Sequence, residues 1–180
     1  MRLQIADCRL QIGVTLVTLV MLCACTAALR AETIDRVLAV VADQLITQSD
    51  VTAAIDLGLQ SADGAADPMR AVLSKLIDRE LVLAEVERYA PAEPGAEVVN
   101  VELQRVRQRF RAAADFDAAL ARSGIDERHL RETLRQDLRV RAYLDQRFSA
   151  EADRRAGLIA EWMTGLRRRG GVVDLYLAAK

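Results

Sequence analysis

The residues that most often do chemistry are scarce in this sequence. Its one histidine, His129, stands three positions before Glu132 in an arginine-rich segment. A zinc site needs three or four histidine, cysteine or carboxylate ligands held together, and a lone histidine without a cysteine does not readily provide them. We therefore interpret His129 as a solvated residue on the polar face of a helix, and we predict no metal site.

The serines and glycines also lack the surroundings that catalysis or nucleotide binding would need. No Gly-x-Ser-x-Gly motif occurs, and we interpret Ser49 and Ser123 as residues that cap helix starts. Gly170–Gly171 follows an apolar helical stripe, which is typical of a helix end rather than of a phosphate-binding loop. We predict no catalytic residue and no cofactor.

Arginine outnumbers lysine by 23 to 2, so any basic surface depends on arginine. Acidic side chains are interleaved with the arginines at helical spacing, and the net charge is −1. Oppositely charged residues three or four apart on a helix form ion pairs, so we predict solvated, paired faces and no nucleic-acid partner. The two basic runs comprise Arg105, Arg107, Arg109 and Arg111, and Arg128, Arg131, Arg135, Arg139 and Arg141.

The start of the chain has the layout of an export signal. No charged residue occurs from Leu10 to Leu29, and small residues follow the apolar core. Three fates stay open for residues 1–31: cleavage after Ala28 or Ala31, lipidation at Cys25 after a loose lipobox, or retention as a membrane anchor. Each of them places residues 32–180 outside the cytoplasm, in the periplasm, either soluble or attached to the membrane.

Cysteine usage divides the chain at the same point. Cys8, Cys23 and Cys25 all lie in the leader, and residues 32–180 contain none. The exported part therefore has no disulfide framework and no thiolate metal site. Its length suits a single domain.

Apolar spacing in residues 32–180 predicts a mostly helical domain. A tight hairpin is expected over residues 36–47, because the run is apolar and is interrupted by polar residues in its middle. A helix capped by Ser49 should then run to about Gln60. Further helical stripes are expected from Asp67–Pro68 to Tyr89, over Val99–Phe110, over Phe116–Leu120, from Asp126 to Phe148 and over residues 152–168.

The end of the chain predicts how the sheet closes. Residues 172–177 are strand-like, and a lone strand needs a partner, for which the hairpin is the available candidate. The fold class is therefore mostly α with a small β-sheet, with five to six helices and the N-terminal hairpin joined by the C-terminal strand. On the last helix, Trp162, Met163 and Leu166 share one stripe, which fits either core packing or the lining of a binding groove.

In this order the elements resemble the N-terminal chaperone domain of the SurA family of periplasmic folding factors. The resemblance covers residues 34–148 and includes a hairpin that leads into a Ser-Asp helix start. The segments that carry it are IDRVLAVVADQLITQSDV at 34–51, MRAVLSKLIDRELVLAEVERY at 69–89 and FDAALARSGIDERHLRETLRQDLRVRAYLDQRF at 116–148.

The resemblance implies an ATP-independent module that holds unfolded envelope or outer-membrane proteins in an apolar cradle. Family members usually carry a parvulin-type prolyl isomerase domain before a closing helix and strand. Here Trp162 follows Phe148 within 14 residues, so that domain is missing and no enzyme activity is expected. Two other hypotheses stay open: an envelope adaptor that docks one folded partner, as a homodimer that exchanges its end strand, and an isomerase by family inheritance.

Overall fold

The described part of the chain begins with a β-hairpin. The computed structural model describes residues 35–89, 92–150 and 152–177, so the leader and Cys25 lie outside the described residues. Strand β1 (Val37–Val41) turns back into β2 (Gln44–Thr47) through Ala42 and Asp43. Both turn residues have positive φ, 47° and 65°, which matches the twist that a two-residue hairpin requires. The predicted hairpin is confirmed.

Helix α1 (Gln48–Asp56) begins two residues earlier than expected. Its N-cap is Thr47: the Asp50 N–H donates to Thr47 Oγ1 at 3.3 Å, and the Thr47 N–H donates to Asp50 Oδ2 at 2.8 Å. The prediction that Ser49 caps this helix is therefore wrong. Strand β2 continues to Thr47, so Thr47 already has the extended backbone that an N-cap needs.

The end of α1 also differs from the prediction of about Gln60. Gly58 has a left-handed φ of 63°, and its N–H donates to the Ile55 carbonyl. The Leu59 N–H donates back to the Ala54 carbonyl at 2.8 Å. These two bonds form a Schellman motif, which satisfies the last carbonyls and stops the helix at Asp56.

The remaining helices follow the predicted order. Asp67 and Asp126 cap two of them: Asp67 Oδ1 accepts from the Arg70 N–H at 2.9 Å, and Asp126 Oδ1 accepts from the His129 N–H at 2.7 Å. The left-handed Gly124 ends a third. The helices are α2 (Pro68–Tyr89), α3 (Ala96–Arg107), α4 (Ala113–Ser123), α5 (Glu127–Arg147) and α6 (Ala152–Arg169).

The two ends of the described chain meet in one sheet, as predicted. Strand β3 (Val173–Asp174) pairs antiparallel with β1, giving the order β2-β1-β3. The strand is shorter than the expected 172–177, because Asp174 Oδ1 accepts the Tyr176 N–H at 3.0 Å and turns the chain. With 66% of the described residues helical, the fold is mostly α with a small sheet.

The apolar side chains form two core clusters that share α1. Val51 and Ala54 of α1 pack in the first cluster, with the sheet, α2 and the end of α6. Ala53 and Leu57 face the second cluster, with α3, α4 and α5. Nowhere in the described residues does a helix combine the length and the apolar composition needed to cross a membrane.

The capping box of α1 leads to a stability prediction. We expect Thr47→Ala to lower the free energy of unfolding by about 1 kcal/mol, because two helix-start hydrogen bonds depend on that hydroxyl and its geometry. Ser49→Ala is the matched control and should cost much less, since Ser49 lies inside the first turn. Urea unfolding of both variants measures this, and equal losses would contradict the assignment of Thr47 as the cap.

Candidate functional site

Four aromatic side chains form a continuous row where α2, α5 and α6 meet. The ring centroids are 5.9 Å apart for Tyr89–Tyr143, 6.1 Å for Tyr143–Trp162 and 5.4 Å for Trp162–Phe148. We call these four residues the aromatic row. It contains four of the chain's seven aromatic residues, so most of a scarce residue type is concentrated at one place.

The four members of the row come from three parts of the chain. Tyr89 is the last residue of α2, Tyr143 lies near the end of α5, Phe148 directly follows α5, and Trp162 is in the middle of α6. Tyr143 is buried and Trp162 and Phe148 are half-buried, while Tyr89 is 60% exposed. The buried Tyr143 therefore lies inside the row, and its neighbour Tyr89 forms the solvent-exposed end.

Contacts at both ends of α6 hold Trp162 in this row. At the C-terminal end, Arg167 donates to Asp78 Oδ1 at 2.6 Å and Oδ2 at 2.9 Å. At the other end, Arg155 pairs with Asp145 of α5. Beyond α6, a Cβ on Gly170 would lie 2.2 Å from Leu81 Cδ2, so only glycine permits this close approach to α2.

A cation and two unpartnered donors accompany the rings. The Arg147 guanidinium lies 5.3 Å from the Trp162 centroid and 5.6 Å from that of Phe148, within the range of cation–π attraction. Tyr143 Oη and Trp162 Nε1 are buried, and among the described residues neither has a hydrogen-bond partner of good geometry. Burial raises the pKa of Tyr143 above its ordinary value of 10.0, and the nearby charge of Arg147 opposes this only in part.

The surface beside the row is apolar too. Leu158, one turn before Trp162 on α6, is 39% exposed, and Ile159 is half-buried. These two side chains precede Trp162 by one helical turn, so they lie on the same side of α6 and extend the apolar character of the row toward solvent. An apolar surface of this kind binds extended apolar chains through non-directional contact.

The sequence-predicted groove residues lie on one stripe, but at different depths. Trp162 and Met163 are half-buried and pack against the first core cluster, and Leu166 is a fully packed member of it. A groove-lining role for these three residues stays a prediction. Cys25, the predicted lipidation site, lies outside the described residues.

Sequence reasoning missed the contribution of Tyr89, Tyr143 and Phe148 to this site. Tyr89 and Phe148 were visible only as the ends of apolar stripes, and Tyr143 was not distinguished from its neighbours on α5. The usable signal was composition: aromatic residues are rare here and several of them fall near predicted helix ends.

The arginine runs form paired faces, as predicted. Arg131 pairs with Glu127 at 3.0 Å, and Arg128 with Asp126 at 3.5 Å. Arg109 instead donates to the Leu57 carbonyl at 3.2 Å. Further pairs join Arg105 to Glu102, Arg107 to Glu127, Arg135 to Glu132, Arg139 to Glu87 and Glu93, and Arg141 to Glu102.

The residues considered for catalysis are placed in structural roles. His129 is exposed on the first turn of α5. Ser123 is the last residue of α4, so the prediction that it caps a helix start is wrong. Its hydroxyl donates back to the Ala119 carbonyl at 2.9 Å, and Asp126 caps the following helix instead. Within the described residues, no three potential metal ligands of the His, Cys, Asp or Glu type come together.

A shallow concavity of about 340 Å³ lies along α3. Five of its six lining residues are polar, but apolar atoms contribute most of the exposed lining surface. The residues around it are Glu97, Asn100, Val101, Gln104, Arg105 and Gln108. None of them belongs to the aromatic row.

Comparison with known proteins adds a distant relationship. No family model matches the chain. The chain is similar to the Chaperone SurA of Nitrosospira multiformis, at 28% identity over 114 residues, which cover 59% of this chain and 26% of that protein. It is also similar to the Chaperone SurA of Alkalilimnicola ehrlichii, at 29% identity over 119 residues, which cover 62% of this chain and 27% of that protein.

The chain therefore spans about a quarter of the length of these curated relatives. Both relatives are named Chaperone SurA. At this identity and coverage they support a SurA-like relationship and no closer assignment. Together with the fold, this supports a chaperone-like class for the chain.

The buried hydroxyl of Tyr143 leads to a pH prediction. The pKa of Tyr143 is higher in the folded protein than in the unfolded chain. Burial of the neutral side chain therefore contributes its full stabilisation below pH 10, and this contribution is lost as the pH rises through the folded-state pKa. We expect wild type to lose stability relative to Tyr143→Phe above pH 10. Phenolate absorbance and urea unfolding between pH 8 and pH 12 measure this. Parallel losses in both proteins would contradict the burial of this hydroxyl.

Proposed function

We propose that this protein is an ATP-independent periplasmic chaperone that holds unfolded envelope proteins, including outer-membrane β-barrel proteins. We use the word client for such an unfolded protein. Its relatives are named as chaperones, and its leader has the pattern of an export signal. The function requires a surface that recognises unfolded chains in general rather than one folded partner.

The aromatic row is the observation that carries the proposal. Unfolded proteins expose apolar side chains that folded proteins bury, and aromatic faces bind these with little directional demand. Tyr89 and Leu158 offer that contact at the surface, and Trp162 and Tyr143 continue it inward. An exposed apolar patch of this kind on a folded domain is typical of an interaction site.

A chaperone that holds clients without ATP requires weak, repeated contacts with them. Several modest contacts along one client give avidity while each of them stays reversible. The paired arginine faces add little long-range attraction, because charges exposed to physiological salt are screened beyond about 8 Å. Release then follows when the client folds or passes to a tighter-binding partner.

We infer that the chain acts without prolyl isomerisation of its own. Helix α5 ends at Arg147 and α6 begins at Ala152, so no domain intervenes at the junction where family members usually carry one. A proline-switch assay on a short peptide should accordingly show no acceleration.

Suppression of aggregation tests the proposal. The full chain is mixed in near-stoichiometric amount with a urea-unfolded outer-membrane β-barrel protein, which is then diluted, and light scattering is followed. We expect suppression by wild type and loss of at least half of it in Tyr89→Ser/Leu158→Ser, because two exposed apolar contacts are removed.

Val98→Ser/Val101→Ser is the matched control for this double variant. Both valines are exposed to about the same extent but lie on α3, away from the aromatic row, so suppression should be unchanged. No suppression by folded wild type would contradict the chaperone proposal and favour an adaptor with one folded partner. Equal losses in both double variants would contradict the aromatic row as the binding surface.

A further inference from the structure

Strand β3 is attached to the sheet by very few backbone contacts. Its register with β1 comprises Ala39 opposite Asp174 and Val40 opposite Val173. One further bond follows, from the Leu175 N–H to the Leu38 carbonyl at 2.9 Å. Apolar burial is limited to Val172 and Tyr176, which are half-buried against the first core cluster, while Val173 is 52% exposed and Leu177 is 75% exposed.

Side chains supply most of the attachment instead. The Tyr176 hydroxyl lies 3.0 Å and 2.9 Å from the two Asp67 carboxylate oxygens. Arg70 pairs with Asp174, and its guanidinium lies 5.7 Å from the Tyr176 ring centroid. We call Asp67, Arg70, Asp174 and Tyr176 the latch.

The latch makes its polar contacts at one place on the body of the protein. Asp67 and Arg70 both stand at the start of α2, where Asp67 also caps the helix through the Arg70 N–H. That cap remains if β3 detaches. Gly171, with φ 60°, precedes the strand and supplies a natural pivot. Elements with few buried apolar contacts are the ones that open locally at low cost.

Detachment of β3 would free one edge of β1. The Leu38 carbonyl and the neighbouring main-chain groups of Val40 would then lack partners, and an extended strand of another chain satisfies such groups. The segment that occupies the edge now shows what fits there. It reads VVDLYL, in which Val172 and Tyr176 pack against the core, and Val173, Leu175 and Leu177 alternate with them on the exposed side.

We propose that the edge of β1 is a strand-acceptor site, that β3 occupies it as a placeholder, and that an extended client segment with alternating apolar residues replaces β3. This inference rests on the proposed chaperone function, since it assigns the client a second point of attachment. β-Strand segments of unfolded barrel proteins have this alternating pattern.

Addition of a strand outside β3 is the competing arrangement, and the structure disfavours it. The bond from Leu175 to Leu38 places the backbone groups of Asp174 and Tyr176 on the outer side of β3. The Tyr176 N–H there is already bonded to Asp174 Oδ1. An edge strand with its outward donor occupied by a carboxylate is protected against strand addition. Exchange at β1 avoids this obstacle.

A peptide with the sequence of β3 tests the site without requiring any chaperone activity. The probe is a fluorescently labelled VVDLYL peptide with a lysine tail, and its binding to the full chain is followed by anisotropy. We expect saturable binding to wild type. A Leu175→Pro peptide should not bind, because proline lacks the N–H that donates to Leu38.

Variants of the latch should change the affinity in a defined direction. Weakening the latch raises the fraction of protein with a free β1 edge, and the apparent affinity rises in proportion to that fraction. We expect Tyr176→Phe and Asp174→Asn, which weaken β3 but leave Asp67 and Arg70 able to contact the peptide, to bind the VVDLYL peptide about three- to tenfold more tightly than wild type. Arg128→Gln, an exposed arginine on α5, is the control and should bind like wild type.

A disulfide that locks β3 provides the opposite test. Ala39 and Asp174 stand directly opposite each other as a non-hydrogen-bonded pair, where the side chains approach most closely. In a chain with Cys8, Cys23 and Cys25 replaced by serine, Ala39→Cys/Asp174→Cys should bind no peptide when oxidised and should bind it when reduced. Circular dichroism of both redox states checks that the fold is kept.

The outcomes separate this inference from the proposed function. Two results would overturn the strand-acceptor site. One is equal peptide binding by wild type, the latch variants and both redox forms of the disulfide variant. The other is no peptide binding by any of these proteins, the latch variants included. If the oxidised lock also suppresses client aggregation less than the reduced form, clients use the site. Equal suppression by both forms would show that clients do not use it, while the chaperone proposal stands on the aromatic row.

Discussion

Helix α2 is the element around which the first core cluster is assembled. This 22-residue helix carries buried side chains on more than one face, among them Val72, Leu73, Ile77 and Leu81, so several elements must cover it. The sheet and α1 cover its beginning, α5 runs along it, and α6 returns to close it. The remaining helices, α3 and α4, pack in the second core cluster against α1 and α5, two of the elements that cover α2.

Charged contacts fix how α5 lies on α2. Arg79 of α2 donates to Asp137 of α5 at 2.5 Å and to the Thr133 carbonyl at 3.2 Å, while Arg139 of α5 pairs back with Glu87. These partly buried pairs need both partners, because an unpaired charge there would be costly. They set the register in which Tyr89 and Tyr143 stack, so a structural ion-pair network positions the aromatic surface that we assign to clients.

Much of the architecture could be predicted from local sequence signals. Asp67 before Pro68, Asp126 before α5 and Gly124 after α4 act through contacts within a few residues, and the apolar stripes showed which faces are buried. The cap at Thr47 was missed because it depends on how far β2 extends, which is decided by pairing with β1. The aromatic row could not be predicted for a related reason: Tyr89 and Tyr143 are 54 positions apart, and only the packing of α5 on α2 brings them together.

The chain's single tryptophan allows the central claim to be tested directly, because Trp162 lies in the aromatic row. Its fluorescence is recorded while a urea-unfolded, tryptophan-free outer-membrane β-barrel protein is diluted into the full chain. We expect a saturable change in emission wavelength or intensity at near-stoichiometric client, and no change when the same client is already folded. Unchanged Trp162 emission under conditions where the chain suppresses aggregation would contradict the claim that clients bind at the aromatic row.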